Sequence, residues 1–264
     1  MDLTKRTYES PKHIVITGAS NGLGKALALH YAAAGVTLSL SGRNEARLDD
    51  VAALCREKGA DVNAQIIDVT NAKAMHEWLG GLDSALPVDL VIANAGISGG
   101  TGDGIETTAQ IRSIFDVNLT GVLNTIDPLL PFMLARKHGQ IAIMSSLAGF
   151  RGFPGAPAYC ASKAAVKSYG ESLRGSLKHD GIAVNVICPG FVESAMTDVN
   201  DFPMPFKMSA ERAAQIITKD LRKNKGRIAF PWPMLWMVRV LNILPDALTS
   251  RLLIHTPAKP QKPK

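Results

Sequence analysis

Short apolar segments alternate with longer amphipathic segments along most of this chain. Seven of the short segments are apolar or alternate in polarity, which predicts β-strands. They cover residues 13–17, 36–41, 61–67, 89–93, 140–145, 182–188 and 227–230. The segments between them have the length and periodicity of helices, at residues 25–34, 45–58, 71–86, 107–137, 158–178 and 209–223. Because strands and helices alternate at short intervals, we predict a doubly wound α/β domain with a parallel seven-stranded sheet and helices on both faces.

The end of the chain departs from this alternation. Residues 231–255 are apolar nearly all round, and we predict a helical extension beyond a domain at 1–230. It is too short and too interrupted for a membrane span. It could pack over a ligand site, form a subunit interface, or lie in a membrane surface with Trp232, Trp236 and Arg239 at the headgroups. We favour packing within the protein or between subunits, because interfacial helices show a cleaner polar face. Residues 256–264 are predicted to be a disordered tail.

Composition narrows the function classes. A hydrophobic fraction of 46% and a charged fraction of 20% are ordinary for a soluble globular protein. The net charge of +6 suits an anionic ligand, but no dense basic stripe with interleaved aromatic residues indicates nucleic-acid binding. The three cysteines are widely spaced and lack a ligand pattern, which predicts reduced thiols in a cytoplasmic protein and no metal site. The first ten residues have no apolar run, so we expect no secretory signal there.

A glycine-rich turn joins the first predicted strand to the first predicted helix. Free backbone N–H groups and the helix dipole make such a turn an anion site, and missing Cβ atoms let a pyrophosphate approach. The spacing is G-x-x-x-G-x-G, one residue longer in its first gap than the standard dinucleotide fingerprint. A plain turn is the alternative to a nucleotide site. The candidate contacts are Gly18, Ser20, Asn21, Gly22, Leu23 and Gly24.

Arg43 follows the second predicted strand, where dinucleotide-binding folds place the residue that holds the adenosine ribose. An acidic residue there binds the ribose hydroxyls of NAD, and an arginine binds the 2′-phosphate of NADP. The chain reads Ser41-Gly42-Arg43-Asn44 and has no carboxylate at this point. A guanidinium matches phosphate in a bidentate way, so NADP(H) is favoured over NAD(H). The alternative is a surface arginine at the start of the next helix.

Tyr159 and Lys163 lie one turn apart on a predicted helix and point the same way. An ammonium beside a phenol favours the phenolate, so we expect the pKa of Tyr159 to fall from about 10 toward the range of an acid–base catalyst. A solvated lysine beside a half-buried tyrosine is the alternative. Ser146 follows the fifth strand at its carboxyl end, where open α/β sheets bind ligands. Asn118 lies within a predicted helix, where an asparagine is usually solvated or destabilising.

In order, these motifs resemble those of the short-chain dehydrogenase/reductase family over about residues 12–230. Thr17-Gly18-x-x-x-Gly22-x-Gly24 resembles the family's cofactor loop, and Asp68-Val69 resembles the pair that contacts adenine. Asn94-Ala95-Gly96 is similar to the motif beside the cofactor. Ser146 lies thirteen positions before the tyrosine, as in the family. The residues matching the catalytic tetrad are Asn118, Ser146, Tyr159 and Lys163. The residues resembling the segment that orients the nicotinamide are Pro189, Gly190, Val192 and Ser194, and the family more often has threonine at the last of these.

The resemblance implies a Rossmann fold and NADP(H)-dependent interconversion of a ketone or aldehyde with an alcohol. Tyr159 would donate the proton to the substrate oxygen or remove it, and Ser146 would polarise the carbonyl. Lys163 would lower the pKa of Tyr159 and bind the ribose of the cofactor. Asn118 would hold a water between Lys163 and solvent. The resemblance also implies a homodimer or homotetramer.

Apolar residues indicate the substrate class. Residues 195–208 are predicted to form a lid that carries Met196, Phe202, Met204, Phe206 and Met208. These side chains suit an apolar carbonyl or alcohol, although ordinary packing of a loop explains them about as well. Fatty acyl, steroid, sugar-like and xenobiotic carbonyls all stay open.

Two other function classes stay open as well. A non-catalytic NADP(H)-binding regulator would be expected to lose Tyr159 or Lys163, and both are present. An isomerase or epimerase usually carries a larger substrate domain than the short segment after Ser194 provides. Peripheral membrane contact through the extension is a further alternative.

Overall fold

A parallel sheet of seven strands lies at the centre of the computed structural model, which describes residues 10–102, 104–254 and 259. The strand order is β3-β2-β1-β4-β5-β6-β7. The strands are β1 His13–Thr17, β2 Thr37–Gly42, β3 Asp61–Ile66, β4 Leu90–Ala93, β5 Gly139–Met144, β6 Ile182–Pro189 and β7 Arg227–Phe230. In the register of the central strands, Val15 pairs with Ser39 of β2 and with Val91 of β4. The order reverses between β1 and β4, so their carboxyl ends open the crevice in which such sheets bind ligands.

Helices cover both faces of the sheet, which confirms the predicted doubly wound α/β fold. Alternate residues of β1 point to opposite faces. Ile14 and Ile16 pack in a core with side chains of α1, α2 and α9. Val15 packs in a second core with side chains of α3, α5 and α7. The helices are α1 Gly22–Tyr31, α2 Glu45–Glu57, α3 Ala72–Ala85, α4 Thr108–Phe115, α5 Gly121–Ile126, α6 Leu130–Arg136, α7 Pro157–Ser176, α8 Ala195–Asp198, α9 Ala210–Arg222, α10 Trp232–Ile243 and α11 Asp246–Leu253.

The single helix predicted over residues 107–137 is wrong, because the structure divides it into several pieces. A π-helical turn at Asp116–Thr120 separates α4 from α5, and a break follows α5 before α6. The π turn contains the buried Asn118, and Pro131 occupies the first turn of α6, where it needs no backbone donor. Smaller differences are the start of α1 at Gly22, a 3₁₀ turn at Leu147–Gly149 and the short α8.

The C-terminal extension forms α10 and α11, and side-chain hydrogen bonds attach it to the loop that precedes α7. Arg151 of this loop donates to the Thr249 hydroxyl at 2.6 Å and lies 3.3 Å from the Asp246 carboxylate. Asn242 donates to the Phe150 carbonyl at 2.9 Å. The other face of α10 stays exposed, with Trp232 at 72% and Ile243 at 83%. None of the helices in the described ranges is long and apolar enough to cross a membrane.

Some of the sequence predictions concern residues that the structure does not describe. The start of the chain, residues 1–9, and residue 255 at the end of the extension lie outside the described residues. The same holds for the predicted disordered tail at 256–264, apart from Lys259.

Candidate active site

The glycine-rich loop closes tightly between β1 and α1. Gly18 and Gly22 have φ values of 67° and 51°, in the left-handed region that favours glycine. Gly24 is the most confined, because a Cβ there would lie 2.2 Å from the Gly18 carbonyl oxygen. Asn21 caps α1 by accepting a hydrogen bond from the Gly22 N–H at 2.6 Å. The loop therefore needs its glycines for backbone packing as well as for ligand approach.

Asn94 ties the end of β4 to this glycine loop. Its side-chain amide donates to the carbonyls of Thr17 at 2.9 Å and Gly18 at 3.2 Å. The Thr17 hydroxyl in turn accepts from the backbone N–H groups of Asn94 and Ala95. Gly96 continues this segment, and a Cβ on it would lie 3.3 Å from the Lys163 ammonium. The predicted motif at residues 94–96 thus connects the loop to the Tyr159 region.

Arg43 lies beside the glycine loop and near Asp68. A Cβ on Gly42 would lie 3.1 Å from the Ser20 hydroxyl, so the residue before Arg43 borders the loop. The Arg43 guanidinium is 3.7 Å from the Asp68 carboxylate, and its side chain is 60% exposed. Asp68 also accepts from the N–H and hydroxyl of Thr70. Because exposed ion pairs are weak, a phosphate could compete for this guanidinium.

Val69 and Leu23 are predicted cofactor contacts whose side chains pack in the cores. Val69 is buried beneath α5, because a Cβ on Gly121 would lie 2.6 Å from its side chain, and its carbonyl accepts from Asn124 at 2.8 Å. Leu23 packs on the core beneath α1. Their predicted contacts with a nucleotide would therefore use the backbone, and they stay predictions.

Tyr159, Ser146 and Lys163 meet at the carboxyl end of β5. Tyr159 and Lys163 lie in the first two turns of α7, which Pro157 begins and the Glu106 carboxylate caps through the Ala158 N–H at 2.9 Å. Lys163 is buried, and its ammonium donates to the Met144 carbonyl at 2.9 Å. The same ammonium lies 5.9 Å from the centre of the Tyr159 ring. The structure therefore brings three of the four predicted tetrad residues together.

Burial overturns the expected direction of the Tyr159 pKa shift. Desolvation raises the pKa of the phenol, and the hydrogen bond to Ser146 only partly opposes this. Lys163 is not among the groups that shift the pKa of the phenol, and burial lowers the pKa of its own ammonium to about 8. The spacing of the two residues on one helix does not reveal that both side chains are shielded from water. In the protein without ligand, Tyr159 is therefore a neutral phenol at physiological pH.

Asn118 connects the loop after β4 to α7 through its side-chain amide. Its oxygen accepts from the Ile97 N–H at 2.8 Å, and its nitrogen donates to the Ile97 carbonyl and the Ser162 hydroxyl, each at 3.0 Å. The π turn positions this residue, which is fully buried. The side chain therefore holds the wall behind Lys163, and its predicted role in holding a water stays a prediction.

The segment after β6 approaches the glycine loop from the opposite side. Pro189 ends β6, and the Gly190 N–H donates to the Phe230 carbonyl at 2.7 Å. Ser194 caps the short α8 with Thr197, and a Cβ on Gly22 would lie 2.8 Å from the Ser194 Cβ. The Val192 carbonyl accepts from the Thr197 hydroxyl at 2.9 Å. These predicted cofactor residues therefore border the crevice.

The predicted lid is only partly packed. Phe202 contacts Phe191 edge to face, with ring centres 6.2 Å apart, whereas Phe206 is 54% exposed. A separate cavity of about 630 Å³ lies between α7, the loop at 149–154 and α11, and its lining includes Cys160. Within the described ranges, no cluster of three His, Cys, Asp or Glu residues could hold a metal ion.

Two residues of this region gave no signal in the sequence. Ser98 follows β4, and Lys259 belongs to the segment that we predicted to be disordered. The Lys259 ammonium donates to the Ser98 hydroxyl at 2.9 Å and lies 4.7 Å from the centre of the Tyr159 ring. A segment rich in proline and lysine has no periodicity that could predict this position.

Comparisons with known proteins agree with this geometry. The family model described as short chain dehydrogenase matches residues 12–202. A Myxococcus xanthus protein named as an uncharacterized oxidoreductase is 40% identical over 89% of this chain and 93% of its own. A Mycobacterium tuberculosis protein with a similar name is 34% identical over 90% of this chain and 96% of its own.

Solved structures share the fold. A short-chain dehydrogenase/reductase from Burkholderia phymatum in complex with NAD is 24% identical, with a TM-score of 0.82 over 98% of this chain and 99% of its own. A short-chain dehydrogenase from Sphingobium yanoikuyae in complex with NADPH is 24% identical, with a TM-score of 0.77 over 93% of this chain and 98% of its own. With the family model and the curated relatives, this likeness establishes that the chain belongs to the short-chain dehydrogenase/reductase family of oxidoreductases.

Proposed function

We propose that this chain is an NADP(H)-dependent oxidoreductase that interconverts a ketone or aldehyde with the corresponding alcohol on a largely apolar small molecule. The observation that carries this proposal is the meeting of Tyr159, Ser146 and Lys163 at the edge of the sheet where the glycine loop opens. A proton donor, a hydroxyl for the carbonyl oxygen and a buried ammonium are the groups that carbonyl reduction needs.

The residues around the crevice fit an anionic dinucleotide. The backbone N–H groups at the start of α1, the Ser20 hydroxyl and the Arg43 guanidinium are all hydrogen-bond donors. Donors of this kind suit phosphate oxygens. Ser194 borders the loop from the opposite side, because a Cβ on Gly22 would lie 2.8 Å from its Cβ.

When bound, the nicotinamide supplies or accepts the hydride. The Tyr159 phenol, neutral because it is buried, donates its proton to the carbonyl oxygen. The Ser146 hydroxyl stabilises the negative charge that develops on this oxygen. The Lys163 ammonium would hold the ribose hydroxyls of the bound cofactor and would stabilise the phenolate once the proton has left. The protonated phenol suits the reductive direction.

Substitution of Arg43 tests the proposed preference for NADP(H) over NAD(H). Replacing Arg43 with Ala is expected to raise the dissociation constant of NADPH by about 10- to 100-fold, the effect of losing a hydrogen bond to a charged group, and to leave that of NADH nearly unchanged. Nicotinamide fluorescence titrations measure both. Arg56→Ala is the control, because Arg56 lies near the end of α2, where its guanidinium donates to the carbonyl of Val62 in β3. Equal affinities for the two cofactors in the wild type reject the preference.

Turnover assays distinguish the proposed oxidoreductase from a non-catalytic regulator and from an isomerase or epimerase. A panel of carbonyl and alcohol compounds with NADPH and NADP⁺ should show substrate-dependent change in nicotinamide absorbance. A wild-type protein that binds NADPH but turns over no member of the panel supports the regulator. Product formation without net change in the cofactor supports the isomerase or epimerase.

The exposed face of α10 is the candidate contact for assembly. Trp232, Trp236, Val240 and Ile243 recur at helical spacing on it, and each is more than half exposed. We propose that this face packs against a second copy in a cytoplasmic homodimer or homotetramer, with a membrane surface as the alternative. Trp236→Glu is expected to lower the mass measured by light scattering toward that of the monomer. Flotation of the wild type with anionic liposomes, together with an unchanged mass in the variant, contradicts this and favours the membrane.

A further inference from the structure

Lys259 is held inside the catalytic cleft by the loops on either side of it. Its backbone N–H donates to the Gly155 carbonyl at 3.3 Å, and its carbonyl accepts from the Gly102 N–H at 2.9 Å. A Cβ on Gly100 would lie 2.5 Å from the Lys259 Cβ, so the backbone of this loop fits closely against it. The residue therefore joins the loop after β4 to the loop before α7.

Among the described residues, the partners of the Lys259 ammonium are neutral. It donates to the Ser98 hydroxyl and lies over the face of the Tyr159 ring. Within the described part of the chain, no carboxylate forms an ion pair with it. The neighbouring Cys160 thiol stays neutral because burial raises its pKa, and burial lowers the pKa of Lys259 itself. A desolvated cation without a counter-ion is unfavourable, and a bound anion would relieve this cost.

We propose that Lys259 recognises a carboxylate on the substrate, and that the preferred substrates are oxo acids whose carboxylate lies within a few bonds of the reacting carbonyl. This inference rests on the proposed function. In the reductive direction the carbonyl carbon would take the hydride of NADPH, the carbonyl oxygen would take the Tyr159 proton, and the phenolate would regain a proton from water. The products are the hydroxy acid and NADP⁺, and the carboxylate is unchanged.

Lys259 does not occupy the groups that would bind the reacting carbonyl. Among the described residues, the Lys259 ammonium makes no hydrogen bond to the Tyr159 phenol or to the Ser146 hydroxyl. The carbonyl can therefore bind at Tyr159 and Ser146 while the carboxylate binds beside Ser98. The remaining apolar body of the substrate would face the lid at 195–208. A neutral carbonyl compound would leave the ammonium unpaired.

Turnover of two matched compounds tests the inference. Benzoylformate and its neutral methyl ester share the same reacting carbonyl and differ in the carboxylate charge. Lys259→Met is expected to lower the ratio of kcat/KM for the acid to that for the ester by about 10- to 100-fold, the loss of one charge-assisted hydrogen bond. Taking the ratio within each protein cancels the intrinsic difference in reactivity. Lys178→Met, which removes an exposed lysine near the end of α7, should leave the ratio unchanged.

A different outcome would show that the tail obstructs the cleft. In that case Lys259→Met raises kcat/KM for both compounds by the same factor, and the ratio stays where it is in the wild type. This result overturns the inference. An equal fall in the ratio for Lys178→Met also overturns it, because the effect then follows net charge and not position.

Binding without turnover separates this inference from the proposed function. Calorimetric titration of the protein, with and without NADPH, should show tighter binding of benzoate than of benzamide, and Lys259→Met should remove the difference. Tyr159→Phe should keep the difference although turnover is lost. Equal affinities of the wild type for benzoate and benzamide overturn the inference, whatever the outcome of the turnover assays.

Discussion

Replacing Tyr159 with Phe is expected to lower kcat by about 10²- to 10⁴-fold, the usual contribution of a positioned acid–base group. The substitution removes only the phenol oxygen. The ring keeps its place in α7, beside Lys163 and Lys259. Because the proposed phosphate contacts lie in the glycine loop, the dissociation constant of NADPH should stay near that of the wild type. Steady-state kinetics and fluorescence titration measure the two quantities.

Tyr169 provides the matched control for this experiment. It lies on the same helix, and its side chain packs against the second core. Tyr169→Phe should keep both turnover and NADPH affinity. Near-normal turnover of Tyr159→Phe on the compounds that the wild type accepts would remove Tyr159 from the mechanism. Loss of NADPH binding in the same variant would instead mean that the phenol mainly supports the cofactor site.

Replacing Gly24 with Ala is expected to damage the cofactor loop more than any other single methyl group. The new Cβ would lie 2.2 Å from the Gly18 carbonyl oxygen and 2.6 Å from the Asn94 amide nitrogen. Both are atoms of the closed turn, so the turn has to open. Overpacking of this kind lowers the free energy of unfolding by about 1–3 kcal/mol. Strain of about 1.4 kcal/mol that opposes binding corresponds to a tenfold loss, so NADPH affinity should fall at least about tenfold.

Gly80→Ala is the control, because it adds the same methyl group at a position that has space for it. Gly80 lies within α3, and apart from the backbone of its own helix no described atom lies within 4 Å of a Cβ built there. Gly80→Ala should raise the free energy of unfolding by about 0.5–1 kcal/mol, as alanine does relative to glycine inside a helix. Urea denaturation and NADPH titration of both variants give the comparison. Unchanged NADPH affinity in Gly24→Ala would show that the turn does not hold the pyrophosphate.

The strands could be predicted from the sequence because their signal is local. Every one of the seven begins and ends within two residues of its predicted position. The helix at 107–137 could not be predicted correctly, because its π turn depends on bonds between Asn118 and residues far along the chain, Ile97 and Ser162. Local periodicity contains no information about such partners.

The candidate site was likewise predictable from the sequence only in part. The order of the motifs was enough to predict that Ser146, Tyr159 and Lys163 would meet. The direction of the Tyr159 pKa shift was not predictable, because it depends on how much water the folded chain excludes. The sequence predicts a disordered tail at Lys259 for a related reason. Its partners, in the loops at 98–102 and at 155, lie more than a hundred positions away along the chain.

The bonds between Arg151 and the extension bear on how this protein could be re-engineered. Arg151 and Phe150 of the loop before α7 bind Asp246, Thr249 and Asn242 of the extension. Moving α10 and α11 onto the core of another family member would therefore leave them without their anchors unless the loop moves with them. The loop and the extension would therefore have to be exchanged together, as two separate replacements, because α7 to β7 lie between them along the chain.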